Sequence, residues 1–327
     1  MAPLISNAVQ HLITRADEES NFKYEPNKNA ALAAAALFGI SSVWHFWVMF
    51  KNKTWVYTAL VVGAFMMTIG YVARYLAAKS PYSNGPYILQ SLFLILPPSL
   101  YAATIYMLYG RIVLLVNAPQ ASLIRPTWVT KIFVTGDVIS FLMQAGGGGL
   151  TASSKPDTAK LGQNILMVGL VLQLIFFGIF LTISLIFFRR VRSNPSYLVS
   201  STPVKHNKRS WQTLLKFLFL SAALIIFRCV FRIIEFAQGD DGYLMKKEVF
   251  IYIFDAAPML IVQVVMSVVH GKDVFPKKGD TGSANGVETE SETVTGKISS
   301  RRSGRSRKHG QGSEGPEFME LRGRESV

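Results

Sequence analysis

Asp137 and Gln144, Arg228 and Glu235, and Glu248 and Asp255 are each seven residues apart, in stretches that are otherwise strongly apolar. Two turns of α-helix take about 7.2 residues, so the members of each pair share one face of a helix. Arg232 lies between Arg228 and Glu235, four residues after the first and three before the second. With Arg74 and Arg111 at the ends of two further apolar stretches, four arginines meet four carboxylates: Asp137, Glu235, Glu248 and Asp255. An unpaired charge in hydrocarbon costs about 3 kcal/mol or more. The spacing therefore predicts an inward polar network built by the fourth, sixth and seventh apolar segments. Such a network either lines a path for a substrate or proton, or locks helices together. Arg228, Arg232 and Glu235 can satisfy one another along a single helix. They are grouped, with Arg74 and Arg111, as structural. Asp137 and Asp255 lack a basic partner at that spacing on their own helix. Together with Gln144 and Glu248 they are the candidates for a substrate or proton path, by contacting a cationic head group or by titrating.

Other chemistries find little footing. His45 stands alone among Trp44, Phe46 and Trp47, which suits a hydrogen-bonded core residue better than a ligand. Cys229 is the lone cysteine and reads as core filler, so no disulfide or cysteine-based metal site is expected. No His-Glu-x-x-His, histidine cluster or serine–histidine–carboxylate set occurs in the apolar segments, so neither an enzyme nor a cofactor is expected. Gly146–Gly149 reads as a flexible turn with no Gly-Lys-Ser/Thr after it, hence not a phosphate loop. The net charge of +14 lies in linkers and a terminal tail, which leaves no domain-sized face for nucleic acid. Asn52-Lys53-Thr54 fits a glycosylation sequon, but on the side expected to be cytoplasmic.

The elements that must position these groups are membrane spans. Of 327 residues, 50% are hydrophobic and 17% charged, and about 20 apolar residues carry a helix across a bilayer. The expected fold is all-α, a polytopic bundle of seven spans: Ala30–Phe50, Thr54–Ala73, Tyr87–Tyr109, Trp128–Ala145, Asn164–Phe188, Trp211–Phe236 and Glu248–His270. Residues 1–29 read as a polar extracytoplasmic tail, with no convincing signal peptide. Residues 30–270 form the transmembrane domain, and 271–327 read as a disordered basic, Ser-rich tail. Alternate connections, with the C-terminal tail, hold 22 Lys and Arg against 9 on the other side. That asymmetry places the N-terminus outside and the C-terminus in the cytoplasm. Trp44, Trp47, Trp55, Trp128 and Trp211 would then share one interface. In the tail, Lys297–Lys308 interleaves serines with arginines, as an anionic-lipid contact that phosphorylation weakens would; a solvated tail is the plainer reading. Pro97–Pro98 and Pro258 each remove helix hydrogen bonds within a span and free carbonyls one turn back.

Several strings in order resemble the fungal RTA-like, lipid-translocating exporter family. They are Ile69-Gly70-Tyr71 with Arg74; Tyr101-Ala102-Ala103 through Tyr106 to Gly110-Arg111; and Phe133 through Asp137 to Gln144. Further along come Gly169-Leu170 with Gln173; Phe227-Arg228, Phe231-Arg232 and Glu235; and Glu248, Tyr252, Phe254-Asp255 and Pro258-Met259. The resemblance runs from about Tyr24 to His270. It implies a seven-span protein that moves, or gives resistance to, amphipathic lipids such as sphingoid bases and aminosterols, with membrane lipids as environment and substrate. A plasma-membrane location fits best, with internal membranes the alternative. The family often carries a glutamate three residues before the Gly-Tyr pair, and here Met67 stands there. A lipid sensor of receptor-like layout is the alternative function, although no Asp-Arg-Tyr ends the third span and no Asn-Pro-x-x-Tyr occurs in the seventh.

Overall fold

The computed structural model describes residues 22, 24–116, 121–151, 153, 155–193, 211–239 and 242–268. Among them are seven long helices and no strand. Six are long and apolar enough to cross a bilayer: α1 (Lys28–Asn52), α2 (Trp55–Lys79), α3 (Asn84–Leu115), α5 (Pro156–Ser193), α6 (Trp211–Ala237) and α7 (Glu248–Val268). The seventh, α4 (Pro126–Thr151), has 26 residues. Its length is sufficient, but Lys131, Asp137, Gln144 and five glycines dilute its apolar character. The protein is thus an all-α, multi-pass membrane protein. Large apolar side chains such as Ile40, Val43, Leu142 and Ile253 are exposed, as on a surface where acyl chains replace water. The chain divides into two units, Met1–Lys278 and Gly279–Val327. The second unit, including the Lys297–Lys308 block, lies outside the described residues.

The helix ends follow from local chemistry. The Asn27 side chain caps α1 by accepting from the Asn29 and Ala30 amides. Lys53, at a left-handed φ of 52°, ends that helix with its amide turned back to the Met49 and Phe50 carbonyls. Pro126 and Pro156 open α4 and α5, where a missing N–H is harmless.

Two helices are irregular within their lengths, both at proline. In α3 the α-helical run stops at Ile95 and restarts at Pro97. Pro98 has no N–H for the Leu94 carbonyl, and the Ser99 amide bonds Leu96 instead of Ile95. The Leu94 and Ile95 carbonyls are thereby released. In α7 residues Ile251–Ala256 form a π-helical turn ahead of Pro258, with the Ala257 amide reaching back to the Tyr252 carbonyl. Asp255 sits inside this turn.

The run Gly146–Gly149 is helical, not a turn. At membrane depth a helix satisfies every backbone group, which outweighs the weak helix preference of glycine. The glycines serve close packing between α4 and α5. A Cβ added at Gly147 would lie 2.6 Å from the Leu166 amide nitrogen, and one at Gly162 would lie 2.6 Å from the Gly147 carbonyl oxygen. Small residues that let two backbones approach this closely are a common means of joining membrane helices.

Part of the expected N-terminal tail is built into the bundle. Phe22 is buried, and its ring packs edge-on against Tyr24 and Tyr87. His45 is a buried core residue whose Nε2 lies 2.9 Å from the Gln263 carbonyl oxygen. Cys229 and Met67 are likewise buried.

Candidate functional site

At the centre of the bundle Arg228 joins the two irregular helices. Its guanidinium donates to an oxygen of Asp255 and to the Leu94 and Ile95 carbonyls that the proline break released. One α6 side chain therefore satisfies the freed backbone of α3 and the carboxylate of the π turn in α7. Arg232, one turn along α6, donates through Nε to Asp255 at 3.1 Å and through Nη1 to Glu235 at 2.8 Å, and its Nη2 completes a two-pronged grip on Asp255. Planar guanidinium forks suit carboxylates for this reason. Asp255 is completely buried and wholly taken up by the two arginines.

A second cluster lies towards the start of α7. Arg74 donates to Glu248 Oε1 at 2.9 Å, to the Tyr24 hydroxyl at 2.6 Å and to the Tyr252 hydroxyl at 3.2 Å. The rings of Phe22, Tyr24 and Tyr252 stand 5.9, 6.0 and 5.5 Å from its guanidinium, within cation–π range. Burial pushes the Tyr24 phenol above its ordinary range, so it remains a neutral hydroxyl. Glu248 Oε2 accepts the Asn27 amide at 2.7 Å, which ties the start of α1 to α7. Both Glu248 oxygens are engaged.

The structure thus unites Arg74 with Glu248, and Arg228 and Arg232 with Glu235 and Asp255. Three arginines face three carboxylates. Arg111 does not join them and is a correction to the network read from sequence. It lies on the exposed side of α3 with Leu114, three residues on. Gln144 is also apart: its Nε2 donates to Gln173 Oε1 at 2.7 Å, a buried bridge from α4 to α5. Asp137 is buried in a third place, beside the Tyr106 hydroxyl.

Between the two arginine clusters opens a cavity of 480 Å³, a volume in the usual range for small-molecule sites. Arg74, Arg232, Glu235 and Gln90 form its polar wall, and Leu92, Leu166 and Phe236 contribute apolar surface. Two buried acceptors in that wall are left over. Among the described residues Glu235 Oε1 and Gln90 Oε1 have no hydrogen-bond partner, although both residues are at least 95% buried. Leaving such an oxygen unpaired costs about 1–3 kcal/mol. Both oxygens are shut off from the cavity as well as from partners, so a donor in the cavity reaches them only after a wall side chain shifts.

Sequence spacing did not find Gln90, Tyr24 or this role for Glu235. Gln90 carries the clearest missed signal, a lone amide in the apolar run from Tyr87 to Ile95. Tyr24 offers none, because its partner Arg74 is fifty residues away.

A family model described as "RTA1 like protein" matches residues 60–278. The chain belongs to the RTA1-like family. Among relatives of this RTA1-like chain, Protein RTM1 of Saccharomyces cerevisiae is 39% identical over 210 residues, 64% of this chain and 65% of that protein. Protoporphyrin uptake protein 1 of the same yeast is 40% identical over 206 residues, 63% of this chain and 65% of that protein. The chain thus spans 65% of the length of both relatives. Lipid-translocating exporter-like protein RTA1 of Leptosphaeria maculans is 29% identical over 301 residues, 84% of this chain and 55% of that protein. No solved structure matches.

Proposed function

We propose that this RTA1-like chain is a membrane translocator of amphipathic lipids that works without nucleotide hydrolysis and confers export or resistance. The observation that carries this reading is the cavity, where a charge-balanced arginine–carboxylate wall meets apolar surface and holds two unpaired acceptor oxygens just behind its face. A lipid whose head group donates hydrogen bonds satisfies those oxygens once a wall side chain gives way, while its tail stays among apolar side chains. Sphingoid long-chain bases and sterol-like amines have such heads. The name of the Leptosphaeria relative, a lipid-translocating exporter-like protein, supports the same class. Asp255 and Glu248 hold the wall through Arg232 and Arg74, and Gln144 holds α4 to α5.

The test is flux of a labelled long-chain base in vesicles that contain only this protein. Wild-type chain is expected to accelerate transbilayer movement severalfold over protein-free vesicles. Binding without any flux would replace this reading by that of a lipid sensor.

The same proposal includes orientation, with the N-terminus outside, the C-terminus in the cytoplasm and the plasma membrane as the working location. Its support is the excess of Lys and Arg in alternate connections. Cys229 is buried, so an engineered cysteine reports alone. Ser83→Cys, in the exposed α2–α3 connection, is expected to react with an impermeant thiol reagent on intact cells. Ser201→Cys should react only after permeabilisation, and the reverse pattern would invert the assignment.

A further inference from the structure

Asp137 is a buried carboxylate that the cavity does not use. It is 3% exposed, and among the described residues neither of its oxygens has a well-placed hydrogen-bond partner. The Tyr106 hydroxyl of α3 faces it without forming a well-placed hydrogen bond, and it has no other partner among the described residues. Among the described residues the groups around it offer no counter-charge. From α6 the titratable neighbour is Cys229, and the adjoining Arg228 is consumed by Asp255 and two carbonyls. From α5 come Phe176, against Gly136, and Phe177, against Tyr106. Lys131 of α4 itself is exposed. Asp137 also lines no part of the cavity.

An ionised carboxylate cannot stay in such a place cheaply. With no cation beside it and only the Tyr106 hydroxyl as a nearby donor, it meets a desolvation penalty of several kcal/mol. A proton removes that charge and supplies one O–H donor, for which the Tyr106 oxygen is a ready acceptor. The pair Asp137–Tyr106 then satisfies itself within an aromatic shell made by Phe133, Phe177 and Phe180.

We propose that Asp137 is a proton-binding site. It carries a proton in the closed bundle and releases it to water when α4 separates from α3 and α6. Resting on the translocation reading, this links lipid movement to proton movement, with the head-group site and the proton site on separate helices. The proton passes from the Asp137 carboxyl oxygen to a water molecule on opening and returns by the same exchange, and no other bond changes.

The experiment uses the full chain in lipid vesicles and has two arms. Infrared difference spectra across a pH titration are expected to show a protonated-carboxyl C=O band that shifts in heavy water and is missing from Asp137→Asn. A band that persists unchanged in that variant overturns the proposal. If Asp137→Asn does not fold, Tyr106→Phe is expected to move the pH at which the band disappears; an unmoved band overturns it equally. In the second arm, labelled long-chain-base flux is compared with and without a pH gradient. The ratio is expected to be severalfold in the wild type and near unity in Asp137→Asn, and a surviving gradient response overturns the coupling. Absence of any wild-type flux would sink the translocation reading alone, because the infrared arm still decides whether Asp137 holds a proton.

Discussion

Arg228→Met is expected to be the most destabilising single substitution in the bundle, costing about 3–5 kcal/mol as the loss of one partner from a buried ion pair does. Methionine fills much of the arginine's volume, so the loss is one of bonds more than of packing. Asp255 keeps Arg232 but loses its other guanidinium. The Leu94 and Ile95 carbonyls lose the guanidinium that bonds them across the proline break. At membrane depth water does not replace it. Thermal unfolding of the purified protein in detergent would show the effect as a large fall in midpoint and in monodisperse yield. Arg228→Lys is expected to fall between the two proteins, because an ammonium restores the charge but cannot span three acceptors on two helices with one planar fork. A methionine variant as stable as the wild type would mean that Asp255 and the broken α3 do not depend on this arginine.

That dependence was only half legible in the sequence. Pro97–Pro98 announces released carbonyls, and Arg228, Arg232 and Asp255 announce charges that must pair, but nothing in linear spacing says that one side chain answers both. Helical periodicity reports which residues share a face and not which neighbour the face meets. Arg111 shows the failure directly, for its position at a span end resembles that of Arg74, yet the turn of α3 points it outwards. The same limit hid the cavity, whose walls come from residues far apart in the chain, such as Gln90 and Glu235. The glycine run misled for a different reason. Four consecutive glycines favour a turn in water, whereas within a membrane the demand for backbone hydrogen bonds keeps them helical, and their lack of side chains then becomes the means by which α4 meets α5. The seven apolar segments were legible because each must satisfy its own backbone, a requirement that composition records locally. Their expected bounds fell short chiefly in α5, where 38 residues form one helix, well beyond the about 20 needed to span.

Glu235→Gln should separate recognition from folding. One Glu235 oxygen accepts from Arg232 at 2.8 Å, and the other, just behind the cavity wall, has no partner among the described residues. The amide keeps the shape and an acceptor for Arg232, which retains its two contacts with Asp255. Stability is therefore expected to fall far less than in Arg228→Met. A protonated amine in the cavity, by contrast, loses a charge-assisted hydrogen bond worth about 1.5–3 kcal/mol, which corresponds to a roughly 10- to 150-fold weaker interaction. Flux of a labelled long-chain base at sub-saturating concentration should drop by that order, while a chain-matched lipid with an uncharged hydroxyl head should be affected less, since it offers a neutral donor that either acceptor can take. Gln90→Leu removes the second free acceptor and is expected to reduce both lipids alike, because an amide oxygen does not discriminate charge. If Glu235→Gln moved the amine at the wild-type rate, the head group would have to bind elsewhere. The buried unpaired oxygen would then be a cost that the bundle carries for some purpose other than transport.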